Sequence, residues 1–226
     1  CSCHGKQRKT RRVRIGRFSI GGASPVSVQS MCNTDTRDIK ATVDQVRRLE
    51  DAGCEIIRVA VKDAADARAI AALKKRIHIP LVADIHFDWK LAVMSIESGA
   101  DKVRLNPGNL FKKEQVAAVV AAARNAHIPI RVGLNSGSVR GSGDPVRRMV
   151  SAAQEYVRGI ERLGFRDLVV SLKASDAAGT VRAYRAFSRG NDYPLHLGVT
   201  ATGLPAEGLI KSSVAVGALL LDGIGD

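Results

Sequence analysis

The stretch KVRLNPGN, Lys102 to Asn109, constrains this chain more than any other. Its alternation of apolar and polar residues has the period of a β-strand, which sends successive side chains to opposite faces. Val103 and Leu105 then share one face, and Arg104 and Asn106 the other, just before a Pro107-Gly108 turn. A guanidinium on the second face of an otherwise apolar strand needs a partner or a ligand, because a buried charge left alone is costly.

The same arrangement recurs along the chain. Strand-like runs occupy Pro25 to Met31, Glu55 to Val61, Pro80 to His86, Lys102 to Gly108, Pro129 to Gly137, Leu168 to Ser175 and Pro194 to Thr200. Helical periodicity covers Asp38 to Ala52, Trp89 to Ser98, Glu114 to Ala126, Pro145 to Leu163 and Leu209 to Leu221, with Gly53, Gly99 and Gly164 placed as C-terminal stops. Strands alternating with helices predict a parallel sheet. Short connections, with no Gly-x-Gly-x-x-Gly after the first strand, favour a barrel over a dinucleotide-binding sheet. The expectation is an α/β fold, a TIM-type (β/α)8 barrel truncated before strand eight, over residues 13–226. A short hairpin at Val13 to Ile20, ended by Gly21-Gly22, should lie beneath it as a lid on the core. Residues 1–12 (CSCHGKQRKTRR) read as a flexible basic arm.

Charge narrows the function. The 226 residues hold 35 Lys and Arg against 22 Asp and Glu, a formal charge of +13. Such a chain favours an anionic partner. Aromatic residues make up only 4%, too few for stacking on bases, which turns the reading from nucleic acid to phosphorylated small molecules. No apolar run reaches the roughly 20 residues of a membrane span, so no membrane partner is expected and the localisation reads as cytoplasmic. Cys1, Cys3, Cys32 and Cys54 form no disulfide or zinc pattern, and no metal ligands are assigned.

Applying the strand alternation throughout separates two faces. One is apolar: Val26 and Val28, Ile57, Val59 and Val61, Leu81 and Ile85, Val103 and Leu105, Ile130, Val132 and Leu134, Leu168, Val170 and Leu172, then Leu195, Leu197 and Val199. It should pack on the helices. The other carries Gln29, Arg58, Asp84, His86, Arg104, Asn106, Arg131, Asn135, Ser171, Lys173 and His196. Four cations against one carboxylate leave an anion missing, and polyvalent phosphate suits the Arg fork and the Lys point charge. The loop Asn135 to Ser138, with Ser136 inside it, adds backbone N–H groups and hydroxyls of a phosphate-cradling kind. Asp84 and His86, near the C-terminal mouth, read equally as an acid/base pair or as a carboxylate that orients its neighbours. His196 reads as a hydrogen-bonded structural residue.

The blocks VQSMCNTDTRD, AGCEIIRVAV, PLVADIHFD, KVRLNPGN, PIRVGLNSGS, LVVSLKASD, DYPLHLGVT and IKSSVAVGALLLDGIGD, in that order from Arg12 to Asp226, resemble the 4-hydroxy-3-methylbut-2-enyl diphosphate synthase family of GcpE/IspG type. The resemblance implies a reductase that opens 2-C-methyl-D-erythritol 2,4-cyclodiphosphate in non-mevalonate isoprenoid biosynthesis. It implies Arg58, Arg104, Arg131 and Lys173 as diphosphate ligands, with Asn106 and Asn135 beside them. It further implies a 4Fe-4S cluster fed by ferredoxin or flavodoxin, and a homodimer. The family's cluster domain, which supplies three Cys and a Glu, has no counterpart here, nor has the eighth strand. Cys32 stands where the family usually has Thr. VTATG places Ala201 where the family has Glu, with Glu207 a few residues on. That change leaves open a second reading, a non-catalytic anion-binding relative, and a third, a pterin-type transferase on a similar barrel.

Overall fold

A computed structural model describes residues 7–109, 112–139 and 141–226. Two strands, β1 (Val13–Ile15) and β2 (Phe18–Ile20), form an antiparallel hairpin. A parallel sheet follows in the order β3 (Gln29–Met31), β4 (Ile56–Val61), β5 (Leu81–Ile85), β6 (Lys102–Leu105), β7 (Ile130–Asn135) and β8 (Leu168–Lys173). Sequence order equals spatial order, as barrel-type winding requires. Around it run α1 (Ile39–Asp51), α2 (Ala64–Lys74), α3 (Trp89–Glu97), α4 (Lys113–Asn125), α5 (Pro145–Arg162), α6 (Ala177–Ser188) and α7 (Pro205–Leu221). A single 3-10 turn, Ser136–Ser138, follows β7.

Aspartates start most of these helices. The side chains of Asp38, Asp63, Asp88, Asp144 and Asp176 accept from backbone N–H groups in the first turns of α1, α2, α3, α5 and α6. Gly53, Gly99 and Gly164 end α1, α3 and α5 with positive φ, as their placement predicted. Helices α2 and α6 were not among the periodic segments. Each presents a short buried set, Ala67, Ile70 and Leu73 in α2 and Ala183, Tyr184 and Phe187 in α6, that shows only once the neighbouring strands are in place.

The apolar strand face packs on the helices as expected for β4 to β8, where Ile57, Val59, Val61, Leu81, Ile85, Val103, Leu105, Ile130, Val132, Leu134, Leu168, Val170 and Leu172 are buried in one core. The hairpin makes a second, smaller core. Val13, Ile15 and Ile20 pack against Ile56, Val82 and Val169, which seals the end of the sheet where the strands begin.

Three expectations change. The first strand is short, covering Gln29–Met31, and Val26 and Val28 are 45% and 56% exposed rather than covered by helices. The seventh expected strand reduces to one parallel bridge, Val170 with Leu195, so the sheet has six strands and then opens. The described part of the expected arm is docked. The Arg8 guanidinium donates to the carbonyls of Asn191 and Tyr193, and Thr10 Oγ1 donates to Asp226 Oδ1 at 2.6 Å. Arg11 pairs with Asp192. Cys1, Cys3 and His4 lie outside the described residues. Arg8, Thr10 and Arg11 find their partners far along the chain, at Asn191 to Tyr193 and at Asp226, which a sequence reading cannot see.

Candidate functional site: a cationic cage inside the sheet

The concave side of the sheet gathers the polar face of every strand. Register sets the heights: Arg58 lies beside Val82, Ala60 beside Asp84, Asp84 beside Arg104, and Arg104 beside Arg131. Asp84, 3% exposed, is the hub. Its Oδ1 accepts from Arg104 Nη1 at 3.1 Å, and its Oδ2 lies 3.4 Å from His86 Nε2 and 3.8 Å from Arg58 Nε. Burial works against that carboxylate's charge, but the His86 hydrogen bond and the charges of Arg58, Arg104 and Arg131 outweigh it and hold its pKa well below the usual range.

One carboxylate does not satisfy these cations. Arg131 is 1% exposed, and its Nε and Nη1 have no partner among the described residues. Arg104 also gives Nη2 to the Gly133 carbonyl at 3.0 Å, yet its Nε stays unpaired. Arg58 turns Nε and Nη2 to Met31 Sδ, a weak acceptor. Burial first, and then the charges of Arg58 and Arg104, pull the Arg131 pKa down to about 9. Burial first, and then Arg131, Arg58 and Arg104, pull Lys173 down to about 7. His196 is held well below its ordinary value by burial and by Arg131, Lys173, Lys102 and Arg58. Its structural hydrogen bond runs through the backbone, the Tyr184 hydroxyl donating to the His196 carbonyl.

Arg58, Asp84, Arg104, Arg131 and Lys173 therefore share one space, with His86 at its rim, its side chain 52% exposed. The Asn and Ser residues are more engaged in building loops. Asn106 is 6% exposed and its Oδ1 accepts from the Gly108 N–H, closing the Pro-Gly turn. In the loop after β7, Ser138 Oγ accepts from the Asn135 N–H and donates to the Asn135 carbonyl, which shapes the turn that holds Ser136. Asn135 and Ser136 themselves stay partly exposed. Glu207 is 62% exposed, 3.9 Å from Lys211, and Ala201 is exposed at φ 51.

Three contributors escaped the sequence. Lys102, on the inward face, is fully buried. Gly133 and Gly198 are spacers: a Cβ on Gly133 would stand 2.7 Å from Arg104 Nε, and one on Gly198 would stand 2.8 Å from Lys173 Nζ. The parity of Lys102 with Arg104 was the available signal. For the glycines there was none, because the conflict is with side chains of other strands. A separate hollow of about 710 Å³ lies on the outer side, between α4 and α5, lined by Val116, Leu134, Tyr156 and Leu163; β7 stands between it and the cations.

A curled parallel sheet wrapped by helices, with five basic side chains and one carboxylate on its concave side, defines a barrel-type domain with a cationic interior. The chain belongs to the GcpE TIM-barrel domain family, whose model matches residues 10–226. It is 52% identical to a protein of Thermodesulfovibrio yellowstonii over 98% of this chain and 65% of that one. It is 51% identical to a protein of Caldanaerobacter subterraneus subsp. tengcongensis over 98% of this chain and 64% of that one. Both carry the name 4-hydroxy-3-methylbut-2-en-1-yl diphosphate synthase (flavodoxin). The chain thus spans just under two thirds of the length of these relatives. Among solved structures, a dihydropteroate synthase of Xanthomonas albilineans aligns with a TM-score of 0.70 at 15% identity, over 96% of this chain and 90% of that one. The HPPK-DHPS of Plasmodium falciparum aligns with a TM-score of 0.73 at 7% identity, over 96% and 48%. At such identities the likeness is one of fold.

Among the described residues, no three His, Cys, Asp or Glu side chains are grouped to hold a metal ion. Cys32 and Cys54 are both buried and free. These residues do not fit an iron–sulfur cluster. No helix among the described residues is long and apolar enough to cross a membrane.

Proposed function

We propose that this chain is the substrate-holding barrel of an enzyme that reductively opens 2-C-methyl-D-erythritol 2,4-cyclodiphosphate to 4-hydroxy-3-methylbut-2-enyl diphosphate in non-mevalonate isoprenoid biosynthesis. One observation carries it: Arg131, fully enclosed and with two guanidinium nitrogens that have no partner among the described residues, faces a hollow already crowded with cations. Such a group is stable only opposite an anion that offers several oxygens. Family membership and the names of the relatives support reading that anion as the cyclic diphosphate.

In this reading Arg58, Arg104, Arg131 and Lys173 hold the diphosphate, while Asp84 keeps the two nearest guanidiniums from repelling one another. Asn135 and Ser136 offer further polar contacts at the rim, beside the turn that Asn106 braces. Ring opening breaks a carbon–oxygen bond and leaves its electron pair on a phosphate oxygen, so the ligand's negative charge grows as it reacts. A preformed cationic cage stabilises that growth without reorganising. His86, hydrogen-bonded to Asp84 and open to solvent, is positioned to hand a proton to a departing hydroxyl, which leaves as water. Two electrons enter from a flavodoxin-type donor. The 4Fe-4S cluster that the family implies would be held outside the described residues, within a homodimer, and would supply the electron transfer.

Titration of the 226-residue chain with the cyclodiphosphate, across a salt series, tests the reading. Saturable binding that weakens with salt and vanishes in Arg131→Met is expected; binding no tighter than that of chloride would overturn it. Ala201, where the family has Glu, favours the second reading, a binder without turnover. Adding a relative's cluster domain and reductant separates the two, since turnover rules out the non-catalytic relative.

A further inference from the structure

Beneath the residues assigned above lies a cation they do not use. Lys102 is 0% exposed and sits at the start of β6, beside Val82 of the sealed lower core. Its Nζ reaches the far edge of the sheet, where Gln29 Oε1 accepts at 3.3 Å; β3 and β6 are three places apart in strand order. That neutral amide is its sole hydrogen-bond partner among the described residues, and it makes no ion pair there. Among the described residues, the other charged groups turned to this space are Arg58 on β4, Arg104 on β6 itself, Arg131 on β7 and Lys173 on β8, against Asp84 on β5, which Arg104 already occupies. His196, from the segment beyond β8, faces the same cations. The hairpin core closes the space from below, and Lys102 itself is out of contact with solvent.

We infer that Lys102 is the charge-matching residue of the cage, neutral while the barrel is empty and protonated when a polyanion sits on the guanidiniums above it. The inference rests on the anion-binding reading and deepens it. An ammonium buried without a counter-ion is expelled as its proton more cheaply than as a side chain, since Lys102 has no path to water. Burial, and next Arg131 and Arg58, lower its pKa accordingly. A diphosphate reverses the sign of the local field, and the proton returns. Lys102 thereby favours the more highly charged polyanions, because only they offset a further cation.

The test uses inorganic pyrophosphate and the 226-residue chain at pH 8. Calorimetry in two buffers of different ionisation heat, corrected for pyrophosphate's own protonation, counts protons taken up per ligand. Wild type should take up about one proton more than Lys102→Met, because a group that titrates between two states contributes at most one proton. Lys173→Met serves as the comparison for the second lysine. An equal count in wild type and Lys102→Met overturns the inference while leaving the cage in place. No binding of pyrophosphate overturns both. Should Lys102→Met not fold, lysine-selective NMR of the wild type decides: pyrophosphate must move one buried lysine Cε signal from its neutral to its charged position, and no such shift sinks the idea.

Discussion

Arg104 and Asp84, twenty residues apart in sequence, stand side by side in the register of β6 and β5 and are joined at 3.1 Å with almost no exposure to solvent. This pair is the shortest ion pair that Asp84 makes in a cage holding excess positive charge. Much of what the site should do follows from that imbalance.

Replacing Asp84 by Asn should cost about 3–5 kcal/mol, the usual penalty for breaking a buried pair and leaving one charge behind. The loss should be larger without ligand than with it, because a bound diphosphate restores a counter-charge. Thermal midpoints with and without pyrophosphate measure this. A smaller ligand-induced rise in Asp84→Asn than in wild type would contradict it.

Arg131→Met should act in the opposite sense on the empty chain. It removes a fully buried guanidinium with unpaired nitrogens and substitutes an apolar side chain. Stability of the ligand-free protein should rise by about 1–4 kcal/mol, as replacing buried ionic groups by apolar ones often does, while diphosphate binding is lost. Urea midpoints and a binding titration on one preparation check both halves.

Gly133→Ala would drive a Cβ to 2.7 Å from Arg104 Nε. Arg104 cannot retreat without leaving Asp84, so a loss of about 1–3 kcal/mol is expected from overpacking, with weaker diphosphate binding. Gly159→Ala, inside α5 and with no heavy atom within 4 Å of the added carbon, is the control: binding should be unchanged and stability should rise by about 0.5–1 kcal/mol.

Lys173 sets a pH dependence whose sign is definite. Its folded pKa is about 7 against an ordinary 10.5, so between those values the unfolded chain carries a proton that the folded chain lacks. Stability of the empty protein should therefore rise as pH goes from about 7 toward 9.5, and below 7 the cost of the buried charge is fully present. Above pH 10 the raised pKa values of Tyr156, Tyr184 and Tyr193 turn the trend, because unfolded phenols ionise first. Denaturant midpoints against pH, wild type beside Lys173→Met, should show a shallower rise in the variant.

The exposed apolar residues at the sheet's open side show where reading by alternation stops. Val26 and Val28 alternate just as Ile57 and Val59 do, yet the first pair is exposed and the second is fully buried. Periodicity assigns a face; it does not say whether a helix covers that face. Likewise Leu195 begins an apparently regular strand that pairs only once, with Val170.

The sequence alone determined the strand–helix rhythm, the Gly stops of the helices, and which side of each strand is polar, because these depend on local sterics and a period of two. From that parity came Arg58, Asp84, Arg104, Arg131 and Lys173 as one set. Only the tertiary structure decided depth and neighbours: that Lys102 lies on the sealed floor, that Arg58 turns to Met31, and that Gly133 and Gly198 make room for cations from other strands. Those facts depend on the stagger between strands and on side chains reaching across the hollow. Such distances exist only once the sheet has curled.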